Sequence, residues 1–322
     1  MRRVDGIPIA SYLFLGSAML IVGTSVVASK IVVETMPIYT ASALRFLIAG
    51  IVLLVLVRHT GGIPPLPGRL HLIVALQALA GLVVFNAMLL LGLDRTTAIA
   101  SGIITSSTPA VIALMSVMVG DRLKRGGWLG VILAMLGILI VNLFGTDEAA
   151  SASQPFLGAV LVSLAVVGEA LYTVLGKIAA PSLRPVPMAT LVTVYGFLLF
   201  LPLAATDIGD LRPGEIPVSG WLALLYLALI VTVVAFALWF QGLQRVPASM
   251  AGAFTGMIPV GTILATAIFL DEPVTLLHVL GVVVVVVGIV LVTQGMRPAR
   301  HATPPGSTAG VPTYPNEPSP AP

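Results

Sequence analysis

The chain has 322 residues, of which sixteen are Lys or Arg and thirteen Asp or Glu, a charged fraction of 9%. Soluble domains carry about 25% charged residues, whereas 58% of this chain is hydrophobic and its mean hydropathy is +1.08. That excludes a water-soluble globule, which could not hide so much apolar surface, and it excludes disorder over most of the length. An outer-membrane barrel, with strands of roughly ten residues alternating polar and apolar, is excluded as well. What remains is an all-α integral membrane protein. The absence of cysteine removes disulfides and thiolate metal sites. A net charge of only +3 gives no reason to expect a nucleic-acid partner. The lipid bilayer is the expected surroundings.

A hydrocarbon core about 30 Å thick needs roughly 20 apolar residues of helix. Ten segments meet that test: 10–29, 38–57, 72–91, 98–119, 128–144, 156–176, 186–206, 218–240, 246–270 and 273–296. Only Arg45 and Glu169 among the 29 charges fall inside them. The first segment is too long for a signal-peptide core and is kept as a span. Residues 297–322 carry eight of the 24 prolines and read as a disordered cytoplasmic tail. Lys and Arg favour the cytoplasmic side of a membrane. With the N-terminus inside, twelve of them fall in inside segments and three (Lys30, Arg95, Arg212) outside. Both termini are therefore expected in the cytoplasm of a multi-pass plasma-membrane or inner-membrane protein.

The two halves of the chain repeat each other. GLDRTTAIASGIITSSTP at 92–109 aligns with GLQRVPASMAGAFTGMIP at 242–259, with seven of eighteen positions identical, where chance gives about one. Downstream, Asp121, Gly130 and Gly137 match Glu272, Gly281 and Gly288; upstream, Pro37 and Thr40 match Pro187 and Thr190. The organisation expected is a first repeat over 1–148 and a second over 149–296. Each holds five spans. Five is odd, so the second copy should enter the membrane upside down. The loop DRLKR after the fourth span then lies inside, and its counterpart DEPVT lies outside. Inverted repeats are a feature of secondary transporters that alternate access to a central site.

With these motifs the chain resembles the drug/metabolite transporter superfamily, in particular its ten-span EamA-type members. The resemblance rests on the small-residue first span ending at Lys30, the run from Pro37 to Arg45 and Phe46, the stretches closing at Pro109 and Pro259, and the acid–Gly–Gly patterns. It covers about residues 10–296. Gly23-Thr24 stands where many members carry Trp-Gly, and Asp121 replaces a more usual Glu. The resemblance implies a substrate cavity between spans 1–4 and 6–9, with spans 5 and 10 at the periphery.

Several residues could carry the chemistry. Glu169 sits mid-span, where a carboxylate is costly unless protonated, paired or facing water. It could line the cavity and couple transport to protons, or act as a fixed acid locking helix to helix. Tyr172 and Thr173, one turn on, could satisfy it. Lys177 lies roughly 12 Å further by helix rise and is expected to snorkel to the interface. Arg45 could anchor a substrate carboxylate, hold an outer gate, or snorkel outward. Ser101, Thr105 and Thr108 share a helical face and serve either a cavity or close helix packing. Pro109 and Pro259 should kink spans four and nine as hinges or static bends. Asn86 and Trp239 are further cavity candidates, with Gln77, Phe85, Tyr195 and Phe236. The aromatic fraction of 6% suggests no aromatic cage.

No HExxH, Walker or GxSxG motif is present, so no enzymatic activity, metal or cofactor is expected. The expectation is a secondary active transporter of a small-molecule substrate, an exporter of amino acids or related compounds with protons as candidate coupling ion. The alternatives are multidrug efflux and, from another class, a structural or lipid-handling membrane protein. Monomer and homodimer both remain open.

Overall fold

The computed structural model describes residues 3–4, 7–93, 95, 101, 104–121, 123–144, 154–269 and 276–294. The 297–322 tail, the 271–275 loop with Glu272, and residues 98–100, 102 and 103 of the fourth expected span lie outside them. Within the described residues the chain is helical apart from an antiparallel pairing of Arg3–Val4 with Ile7–Pro8.

The helices are α1 (Ile9–Thr35), α2 (Ile38–His59), α3 (Gly68–Gly92), α4 (Thr108–Met118), α5 (Arg125–Phe144), α6 (Pro155–Ala179), α7 (Pro185–Asp207), α8 (Val218–Leu243), α9 (Ala248–Phe269) and α10 (Leu276–Gln294). Seven of them (α1, α2, α3, α6, α7, α8, α9) are long and apolar enough to cross a membrane. Proline sets many of their starts. Pro8, Pro37, Pro67, Pro217 and Pro247 immediately precede α1, α2, α3, α8 and α9. Pro155 and Pro185 open α6 and α7. A first-turn N–H has no partner within its helix, so proline loses nothing by lacking one.

One acid caps a helix from across the bundle. Asp207, at the end of α7, accepts from Tyr39 N (2.8 Å), Thr40 N (3.0 Å) and Thr40 Oγ1 (2.7 Å) at the start of α2. At the opposite end Asp121 Oδ2 accepts from Ser249 N (3.2 Å) and Ser249 Oγ (3.1 Å) at the start of α9. Both satisfy amides that the helix cannot.

The packing is paired across the two halves. The most extensive contacts join α5 to α10, α3 to α6, α1 to α8 and α2 to α7; α3 with α6 mirrors α8 with α1, and α6 with α4 mirrors α1 with α9. Glycine permits the closest approaches. A Cβ on Gly23 would lie 2.1 Å from Ile258 O, and one on Gly261 would lie 2.2 Å from Leu20 O. Gly23 is thus required by the α1–α9 crossing. On α5 and α10, Gly130 faces Gly288 and Gly137 faces Gly281. This register makes the two helices antiparallel, with backbones in contact as small residues allow. The outer surfaces are apolar, as at Leu13, Val55 and Ile268, which suits hydrocarbon as solvent.

Candidate functional site

Helices α3 and α8 are widened at matching places, Leu79–Val84 and Leu227–Ala235, where the backbone is π-helical. Such turns shift the hydrogen-bond ladder by one residue and often occur at functional sites. Side chains donate to carbonyls in both: Asn86 Nδ2 to Leu82 O (2.6 Å) and Thr232 Oγ1 to Leu227 O (2.9 Å). Thr232 Oγ1 also accepts from Arg45 Nε at 2.8 Å. The Arg45 guanidinium lies 5.4 Å from the Phe46 ring centroid. Arg45 is therefore half-buried and tied to the widened turn of α8.

The chain breaks its helical run just upstream of Pro109 and of Pro259. The chain turns at Ser106–Ser107 before α4, and at Thr255–Gly256 within α9. Pro109 lies in the first turn of the restarted helix, and Pro259 is the third residue of its segment. The sequence puts the bends at the prolines; the structure puts them at the small residues before each one, because proline fits a helix start better than a helix interior.

A cavity lies in the middle of the bundle. Met19 and Val22 of α1, Gly81, Leu82 and Phe85 of α3, Glu169, Tyr172 and Thr173 of α6, Ala235, Phe236 and Trp239 of α8, and Thr255 and Ile258 of α9 line it. The α3–α6 contact positions the polar members. A Cβ on Gly81 would sit 2.4 Å from Tyr172 Cδ2, and one on Gly168 would sit 2.7 Å from Ala80 O. Tyr172 packs 6.3 Å from Phe236 and 6.2 Å from Phe240 between centroids. Glu169 is half-buried, with Thr108 of α4 beside its carboxyl group. Tyr172 Oη and Trp239 Nε1 are buried with no hydrogen-bond partner.

Of the residues singled out from sequence, Glu169, Tyr172, Trp239, Phe85 and Phe236 are gathered around this cavity. Arg45, Asn86, Ser101 and Thr105 are not among its lining. Asn86 is exposed, with its amide turned back on its own helix. Ser101 is buried, and Thr105 Oγ1 donates to its carbonyl at 2.9 Å. Tyr195 instead pairs with His71 Nδ1 at 2.8 Å. Gln77 is fully buried, its amide against Gly176. The residue of another span beside Glu169 is Thr108, and its helix neighbour Tyr172 gives it no hydrogen bond. Lys177 does not snorkel. Its Nζ donates to Leu243 O (2.9 Å) and Gln244 O (3.3 Å), closing the C-terminal end of α8. The favourable sign of a cation at that terminus is the reason. The aromatic residues also converge more than the 6% fraction suggests, since three of the four that line the cavity stand on α6 and α8.

A bundle of apolar helices around a central cavity, with one carboxylate among its described lining residues, belongs to the class of multi-pass membrane proteins that handle small molecules. The family model described as the EamA-like transporter family matches residues 9–143 and again 156–294. The chain belongs to that family and is a membrane transporter built of two repeats. It is 37% identical to the uncharacterized transporter YetK of Bacillus subtilis (strain 168) over 281 residues, which is 87% of this chain and 85% of that protein. It is 27% identical to the uncharacterized inner membrane transporter YedA of Escherichia coli (strain K12) over 311 residues, 95% of this chain and 97% of that protein. A solved crystal structure superposes with a TM-score of 0.74 at 20% identity, covering 89% of this chain and 97% of the other, a likeness of fold.

Proposed function

We propose that the protein is a secondary transporter that exports a small metabolite, an amino acid or related compound, by alternating access, with the proton as coupling ion. The observation that carries this reading is the mid-bundle cavity: both repeats line it, and Glu169 is its one acid among the described residues. Two repeats of five helices, one inverted against the other, give a scaffold whose halves can exchange conformations. The antiparallel α5–α10 contact supports the inversion. The paired widenings of α3 and α8 and the paired breaks before Pro109 and Pro259 supply matching points of bending. In this reading Asp121 and Lys177 lie at the cytoplasmic end and Asp207 at the outer end.

Proton coupling is tested in liposomes. Uptake driven by an imposed pH gradient disappears in Glu169→Gln, while gradient-independent exchange at saturating substrate survives. Equal activity of the variant in both regimes removes Glu169 from coupling. If a broad panel of metabolites and drugs gives no movement by the wild-type protein, the transport mechanism itself is refuted. The apolar and aromatic lining favours a second reading, multidrug efflux. A resistance profile on overexpression that spans unrelated compounds selects it.

A further inference from the structure

Arg45 is a cation set among apolar helices with most of its donors idle. Its Nε donates to Thr232 Oγ1 at 2.8 Å, and no described residue takes a hydrogen bond or ion pair from its Nη1 or Nη2. An unpaired charge inside a bilayer is costly, and a long basic side chain commonly escapes by reaching for the surface. Arg45 is instead tied across the bundle. The Thr232 hydroxyl donates to Leu227 O, five residues back in the π-helical turn of α8, so its lone pair is left to face Nε. Held there, the planar fork keeps both Nη groups for another partner.

The fork stands at the wall of the cavity. Thr232 is one turn before Phe236 on α8, and Phe236 and Tyr172 both line the cavity. The Arg45 charge acts on the Tyr172 phenol, whose hydroxyl is buried with no hydrogen-bond partner. A buried hydroxyl is costly until a partner meets it. A cation and a hydroxyl donor on different helices thus both lack an acceptor. No Lys or His is among the described lining residues, so the positive charge is single, which suits a carboxylate better than a phosphate dianion.

The geometry points to an anion subsite made by Arg45 Nη1 and Nη2 with the Tyr172 hydroxyl, which takes the carboxylate of a substrate whose apolar or aromatic body lies against Phe236 and Trp239. Two parallel N–H groups match the two oxygens of a carboxylate. The inference rests on the transporter reading and narrows its substrate class to monocarboxylates with an apolar body, with Arg45 selecting the carboxylate over its amide.

Indole-3-acetate and indole-3-acetamide share ring and shape, differ in charge, and carry no amine to engage Glu169. In calorimetric titrations of the purified full-length protein the acetate binds about tenfold tighter. Arg45→Gln abolishes that preference, and Arg45→Lys, which keeps the charge without the fork, retains part of it. Tyr172→Phe keeps the ring and narrows the preference. An Arg45 that only ties α2 to α8 predicts otherwise: Arg45→Gln melts earlier and weakens both probes alike, with their ratio as in the wild type. That result overturns the inference, as does a wild type that binds the two equally or binds neither. Should Arg45→Gln not fold, an unchanged ratio in Arg45→Lys and Tyr172→Phe overturns it. Inorganic phosphate in excess leaves indole-3-acetate bound; displacement rejects the carboxylate assignment. The transport reading stands or falls separately. Indole-3-acetate that binds through Arg45 but never exchanges across liposomes refutes transport and leaves the subsite standing. Movement of other metabolites with no Arg45-dependent preference does the reverse.

Discussion

Asp207 and Gly23 show how single side chains hold this bundle together. Asp207 takes three hydrogen bonds from the start of α2 while standing on α7. Asp207→Ala removes them and should cost about 1 kcal/mol, read as a lower unfolding temperature in detergent. Asp207→Asn should recover part of the loss, since its carbonyl oxygen still accepts. At Gly23 there is no room at all: the added Cβ of Gly23→Ala meets Ile258 O. Overpacking of a tight contact costs about 1–3 kcal/mol, and this clash with backbone belongs at the upper end. Thermal unfolding of Gly23→Ala beside Gly68→Ala, where a Cβ meets nothing within 4 Å, checks the point. Equal melting of the two variants would contradict the crossing described. Glu169 was legible in the sequence because a lone carboxylate inside an apolar run is conspicuous. Thr108, which stands beside it, was one hydroxyl among several on a span and carried no mark of its own.

The helices themselves were legible to differing degrees. Their apolar runs and the prolines at their starts located most of them, because hydrocarbon demands length and proline demands a helix N-terminus. The widened turns of α3 and α8 left little trace. LAGLVV and LALIVTVVA are ordinary apolar helix sequences, and Gly81 marks only that something comes close. The convergence of Phe85, Tyr172, Phe236 and Trp239 was hidden for another reason: composition counts rings but does not say which way they point. The seven-residue glycine spacing on α5 and α10 was visible, yet its antiparallel register needed the structure. Gly288→Leu should break that contact, where a Cβ already meets Ala134 N at 2.5 Å. We expect a loss of about 1–3 kcal/mol, measured by thermal unfolding. Gly126→Ala, at an open position on α5, should be neutral.

Across the whole molecule the charge distribution predicts an orientation with cytoplasmic termini, and it can be tested directly because the sequence has no cysteine. Ser182→Cys and Gly214→Cys place single thiols at exposed positions in the loops before α7 and α8. An impermeant maleimide applied to intact cells should label residue 214 and spare residue 182 until the membrane is opened. Labelling of both from outside, or the reverse pattern, would reject the arrangement with cytoplasmic termini.

The glycine seam of α5 and α10 constrains any motion of the whole. The last helix of each half is bound backbone to backbone to the last helix of the other, at a site away from the cavity. In the proposed alternating-access cycle this seam is the edge about which the halves turn, while the equally close α1–α9 crossing beside the cavity is the contact that shifts. A covalent link across the seam should leave turnover intact, whereas the same link between α1 and α9 should freeze it.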